Sequence, residues 1–109
     1  MTVHAKIFFD FWRCYTPGEF IQCWYPGCGL MAVDIMHIEP KGMGGRKSVE
    51  FIEDYCPGCR KHHIQTEGRQ KDLLFGIVVE KILAYKPHHV WTEGFKQTAY
   101  YKNNIANGS

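Results

Sequence analysis

The sequence has no apolar run long enough to cross a bilayer: its longest, residues 73–79, covers a fraction of the ~20 residues a spanning helix needs. The first residues, Met1 to Lys6, lack the charged, apolar and small-residue zones of a secretory leader, so a cytoplasmic protein is expected. In a reducing compartment, paired cysteines mean metal more often than disulfide. No internal repeat or low-complexity tract is visible, which excludes solenoid and linker architectures. Strong charge of one sign is also missing, since the net charge is only +2. The overall field therefore argues little for nucleic acid.

What is present is aromatic and hydrophobic weight, 15% and 45% of the 109 residues, which excludes a disordered chain and suits one modest domain. Charge is unevenly spread, with five basic and seven acidic residues before position 60 and eight and four from there on. A basic second half suits a phosphate backbone, although a solvated helix face explains the same lysines.

Two cysteine pairs dominate the middle of the chain. Cys23-Trp-Tyr-Pro-Gly-Cys28 and Cys56-Pro-Gly-Cys59 are separated by 27 residues, and each holds a Pro-Gly suited to a tight turn. Four thiolates at this spacing predict a closed tetrahedral zinc site of Cys23, Cys28, Cys56 and Cys59. Such a site is structural, because no coordination position stays open for substrate. Cys14 is left over as an ordinary thiol.

Along the chain, residues 1–19 read as an aromatic N-terminal strand or arm, with Ile7, Phe8, Phe9, Phe11, Trp12 and Tyr15 closed by Thr16-Pro17-Gly18. A strand over 30–38, a glycine-rich loop, a return strand over 49–55 and a helix with Pro57 in its first turn form a ββα unit within a core of residues 20–66. Residues 67–102 form a helical extension. Within it an amphipathic helix over 71–85 carries Leu74, Ile77, Val78, Ile82 and Tyr85 on one stripe and is ended by Pro87. A shorter docking segment with Trp91, Phe95, Tyr100 and Tyr101 follows, and 103–109 is a polar tail. The fold class is thus α+β.

Residues 20–63 resemble the HNH endonucleases, the ββα-metal or His-Me finger family, in their zinc-bound four-cysteine subfamily, and have a phage- or prophage-like look. The cysteine pairs carry the resemblance together with Asp34, His37, Pro40, Lys41 and the Gly44-Gly45 loop. It implies metal-dependent hydrolysis of phosphodiester bonds in DNA, with His37 as the general base and a second divalent cation such as Mg²⁺, Mn²⁺ or Ni²⁺ at the reacting phosphate. Met36, Phe51 and Arg60 stand where that pattern has a metal-binding His, an Asn and a second His or Asn. Candidate ligands for the second cation are then Asp34, His63, which lies about 60° round the helix from position 60, and His62 in reserve. Asp34 and His37, three apart in a strand, point to opposite faces. Lys41, Arg46, Lys47, Arg60 and Lys61 are the candidate phosphate contacts. The three departures favour an alternative, a catalytically degenerate HNH fold that binds nucleic acid or a protein partner and is held together by zinc.

Overall fold

Thr2 opens the first helix by accepting a hydrogen bond from the Ala5 N–H on its Oγ1, and helix α1 then runs Val3–Phe11. The structure is a computed structural model that describes residues 2–38, 50–65 and 71–106. The aromatic N-terminal stretch, expected as a strand or arm, is therefore a helix. The spacing of Phe8, Phe11, Trp12 and Tyr15 suits a helical face running into the following turn, and tertiary packing overrides their strand preference. Phe8 and Trp12 close on Trp24 with ring centroids 5.9 and 5.3 Å apart, and Trp12 stacks on Tyr85 at 4.9 Å. These contacts belong to a single hydrophobic core shared by all the larger elements.

A two-stranded antiparallel sheet lies beside α1. Strand β1, Asp34–His37, pairs with β2, Tyr55–Gly58, in the register Asp34↔Gly58, Ile35↔Pro57, Met36↔Cys56 and His37↔Tyr55. Helix α2, Arg60–Gln65, follows at once, so hairpin and helix form the expected ββα order with shifted bounds. The second strand begins at Tyr55, behind a 3₁₀ turn at Ile52–Asp54, and Pro57 stands in that strand instead of in the first turn of the helix. Gly58 leaves room for Met36: an added Cβ would lie 2.6 Å from the Met36 Sδ, and that side chain would have to move.

Helix α3 spans Lys71–Tyr85, as the periodicity predicts, and buries Leu74, Phe75, Val78 and Ile82. Ile77 and Tyr85 pack at the edge of the same core. Short helices α4, Glu93–Lys96, and α5, Ala99–Tyr101, lead into a wide π turn at Lys102–Ala106. Phe95 of α4 is fully buried against Phe75 and Phe51. Glu53, fully buried in the 3₁₀ turn, anchors this segment: its carboxylate accepts from the Thr92 N–H at 3.1 Å and hydroxyl at 2.6 Å, and lies 2.9 Å from His89 Nε2. Those bonds compensate the desolvation of a buried carboxylate. No helix among the described residues is long and apolar enough to cross a membrane.

Candidate metal centre and the His37 cluster

The loop between Cys23 and Cys28 is a reverse turn. Pro26 and Gly27 occupy its centre, Gly27 adopts φ +77°, and the Cys28 N–H bonds to the Tyr25 carbonyl at 3.0 Å. This conformation costs glycine little and would strain other residues. Gln22 braces the turn by donating from Nε2 to the Cys28 carbonyl at 2.7 Å. The Pro57-Gly58 pair does not repeat the geometry, because both residues are extended in β2.

The consequence is a different ligand set from the four cysteines expected. Ligand atoms of Cys23, Cys28, Cys59 and His62 all lie within 4.8 Å of one another. Cys28 and Cys59 sulfurs are 3.8 Å apart, and His62 Nδ1 is 3.5 Å from Cys23 Sγ and 3.2 Å from Cys59 Sγ. A tetrahedral zinc with Zn–S of ~2.3 Å and Zn–N of ~2.05 Å has S···S edges of ~3.8 Å and S···N edges of ~3.5 Å. The cluster matches that size and donor chemistry, and it can hold a structural zinc. Its second pair is Cys59-x-x-His62, one turn of α2, in place of Cys56-x-x-Cys59.

Cys56 is turned into the core, with its Sγ 3.6 Å from the Pro57 carbonyl, and is fully buried. Burial first, and then the nearby Cys23 thiol, push its pKa well up, with Lys81 opposing. Cys23 is also raised, chiefly by burial. Cys59 goes the other way. Burial opposes its ionisation, but the His62 N–H, the Cys28 and Cys23 thiols and the Lys61 N–H more than offset that and lower its pKa. A thiol already biased towards thiolate is a ready ligand. The Tyr25 ring stacks on His62 at 4.0 Å and 10°, fixing the imidazole plane.

His37 ends β1 at the far end of the hairpin from the cluster. Its Nε2 lies 3.2 Å from Glu50 Oε1, the same oxygen that accepts from the Tyr55 hydroxyl at 2.5 Å. The contact joins a carboxylate and an imidazole as a hydrogen bond, or as an ion pair when the ring is protonated. Tyr55 stays a phenol, because burial first, then the bond to Glu50 and the charges of Glu50 and Asp54, raise its pKa. His4 of α1 completes the group, its ring 4.6 Å from His37 and 6.1 Å from Tyr55. Glu50, Tyr55, His4 and Tyr25 escaped the sequence reading. They belong to no recognisable spacing, and only the folded chain brings them together.

The other candidates fall as follows. Asp34 is not brought to His37: it starts the strand that His37 ends, ~10 Å away on the opposite face, with Oδ1 accepting from the Ile35 N–H at 2.8 Å. His62 belongs to the cysteine cluster instead of a second cation site. Arg60 and Lys61 are exposed at the start of α2. Lys41, Arg46 and Lys47 lie outside the described residues, as does the side chain of His63.

Together these features define a small α+β protein with a two-stranded antiparallel hairpin, several helices and a Cys₃His cluster able to bind a metal. No family model, no curated protein and no solved structure matches the chain.

Proposed function

We propose that the chain is a metal-dependent endonuclease of the HNH type that hydrolyses DNA phosphodiester bonds. One observation carries the reading: the imidazole at the end of β1 is held through Nε2 by Glu50, the carboxylate–imidazole pairing that orients a general base. In the reaction the His37 imidazole takes a proton from water as the water oxygen bonds to phosphorus, and the P–O bond to the leaving oxygen breaks. Glu50 stabilises the imidazolium that results. A divalent cation, if bound there, would supply charge stabilisation at the phosphate and leaving oxygen. Zinc at Cys23, Cys28, Cys59 and His62 is structural in this reading and ties the first knuckle to α2.

A second reading, a zinc-stabilised HNH-like module that binds nucleic acid or a protein without cutting, is favoured by Met36. That side chain is buried against Gly58 on the face away from His37, so the position offers no ligand to a cation beside the imidazole. Nicking of supercoiled plasmid by purified protein with Mg²⁺, Mn²⁺, Ni²⁺ or Zn²⁺ separates the two. The nuclease reading expects metal-dependent nicking that falls roughly 10²–10⁴-fold in His37→Ala with zinc content unchanged. Salt-sensitive binding without nicking in any metal assigns the module instead.

A further inference from the structure

Residues 20–29, with Tyr15 and Lys81, line a hollow of ~630 Å³. That volume falls in the range of small-ligand sites, and the wall is rich in aromatic rings: Tyr15, Phe20, Trp24 and Tyr25. Three of the four are already engaged. Tyr15 stacks on Phe8 at 6.0 Å, Trp24 meets Trp12 edge to face at 5.3 Å, and Tyr25 stacks on His62 at 4.0 Å. Phe20 is 63% exposed and packs on no other ring among the described residues. It is the ring left to stack on a molecule that enters the hollow.

The polar groups on the wall are few and specific. Lys81 is exposed, with its amine 5.1 Å from the centre of the Trp24 ring, and no Asp, Glu or Arg joins it on the wall among the described residues. A single cation beside a planar apolar surface suits an anion of low charge that carries a flat ring. Gln22 donates from Nε2 to the Cys28 carbonyl, which leaves its amide oxygen as an acceptor for an N–H donor. A nucleotide brings all three complements: a base to stack, N–H groups on the base edge and a phosphate. Within a duplex the faces and edge of a base are taken by its neighbours, so the base that enters must be unpaired. A phosphate monoester carries about −1.5 to −2 charges at neutral pH, whereas the diester of a strand carries one, which the one lysine matches. We propose that this hollow seats one unpaired nucleotide of a single-stranded nucleic acid, with its base on Phe20 and its phosphodiester at Lys81. Cys23 and Cys28 line the hollow, which places it at the metal-cluster end of the hairpin and away from His37, so the proposal does not rest on the nuclease reading.

The test is fluorescence anisotropy of the zinc-loaded full chain with an end-labelled oligothymidylate, without added divalent cation so that no strand is cut. An abasic strand of equal length, a blunt duplex and thymidine monophosphate serve as competitors. The oligothymidylate is expected to bind roughly 5–150-fold tighter than the abasic strand, the worth of one stacked base. Phe20→Ala should erase most of that preference and leave binding of the abasic strand unchanged. Lys81→Gln should weaken both strands and lower the slope of log affinity against log salt by ~0.7. Both side chains are exposed, so both variants should keep wild-type zinc content and melting temperature. Equal binding of abasic and thymidylate strands, equal competition by the duplex or the free monophosphate, or a preference that survives Phe20→Ala overturns the proposal. Plasmid nicking, measured separately, bears on the nuclease reading alone.

Discussion

The exchange of Cys56 for His62 in the metal cluster makes opposite predictions for two single substitutions. Structural zinc in small domains is worth ~10–16 kcal/mol, so an even share among four ligands is ~2.5–4 kcal/mol each. Loss of His62 should weaken zinc binding roughly 10²–10³-fold, as every ~1.4 kcal/mol is a factor of ten. Because a domain of this size is stabilised by only ~5–15 kcal/mol in total, His62→Ala should also lose much of its cooperative melt under mild chelation. Cys56→Ala removes one fully buried sulfur and no ligand. The cost is then a core truncation of about 1–2 kcal/mol, a fall of roughly 5–10 °C in Tm, with one zinc per chain retained. Elemental analysis and chelator competition on both variants read the difference directly. If Cys56→Ala loses zinc while His62→Ala keeps it, the four-cysteine set expected from spacing is correct and the orientation of Cys56 described above is wrong.

Three further outcomes can be measured. Ile82→Ala, in the middle of the buried stripe of α3, should cost about 2–5 kcal/mol in denaturant titrations, whereas a cost below ~0.5 kcal/mol would place that face in solvent. On the nuclease proposal, Glu50→Gln should lower plasmid nicking roughly 10–100-fold at constant zinc content, since the carboxylate that orients His37 is lost while the ring remains, and undiminished nicking would refute that role. Tyr55 has a folded pKa raised above the ordinary tyrosine value, so its contribution to stability is complete below pH ~10 and is lost as pH rises beyond that. Stability measured across that alkaline range should fall less steeply in Tyr55→Phe, and an identical slope would show that the phenol does not supply it.

How legible the fold was depended on whether a segment's signal was local. Helix α3 could be read to its bounds because Leu74, Val78 and Ile82 recur at helical spacing and Pro87 follows them. The turn at Pro26-Gly27 was equally plain, because the residues that specify it are adjacent. Residues 3–11 misled because β-branched and aromatic side chains favour strands only where a sheet is there to receive them. Here the partners are Trp24 and Tyr85, far away in sequence. The second Pro-Gly misled for a related reason. Its turn preference is overridden by pairing with β1, where Met36 closes over Gly58 and draws the pair into an extended strand.

That strand also explains why the metal cluster and the His37 group occupy opposite ends of one short hairpin. Register sets Tyr55 across from His37 and Gly58 across from Asp34, so β2 delivers Tyr55 to the imidazole at one end and Cys59 to the cluster at the other. With Cys56 facing the core midway along β2, a metal held by Cys56 and Cys59 would have to pull the strand out of its pairing with Met36. Using Cys59 and His62 leaves the pairing intact and moves the metal onto α2. A metal held there would fix the angle between hairpin and helix without touching the residues around His37. Zinc removal is therefore expected to act on the His37 group through the fold, as a loss of the β1–β2 register, and not by exposing or changing its chemistry directly. In the chelated protein, amide exchange should rise in β2 from the Gly58 end before it rises at Tyr55, and exchange that began at Tyr55 would contradict this order.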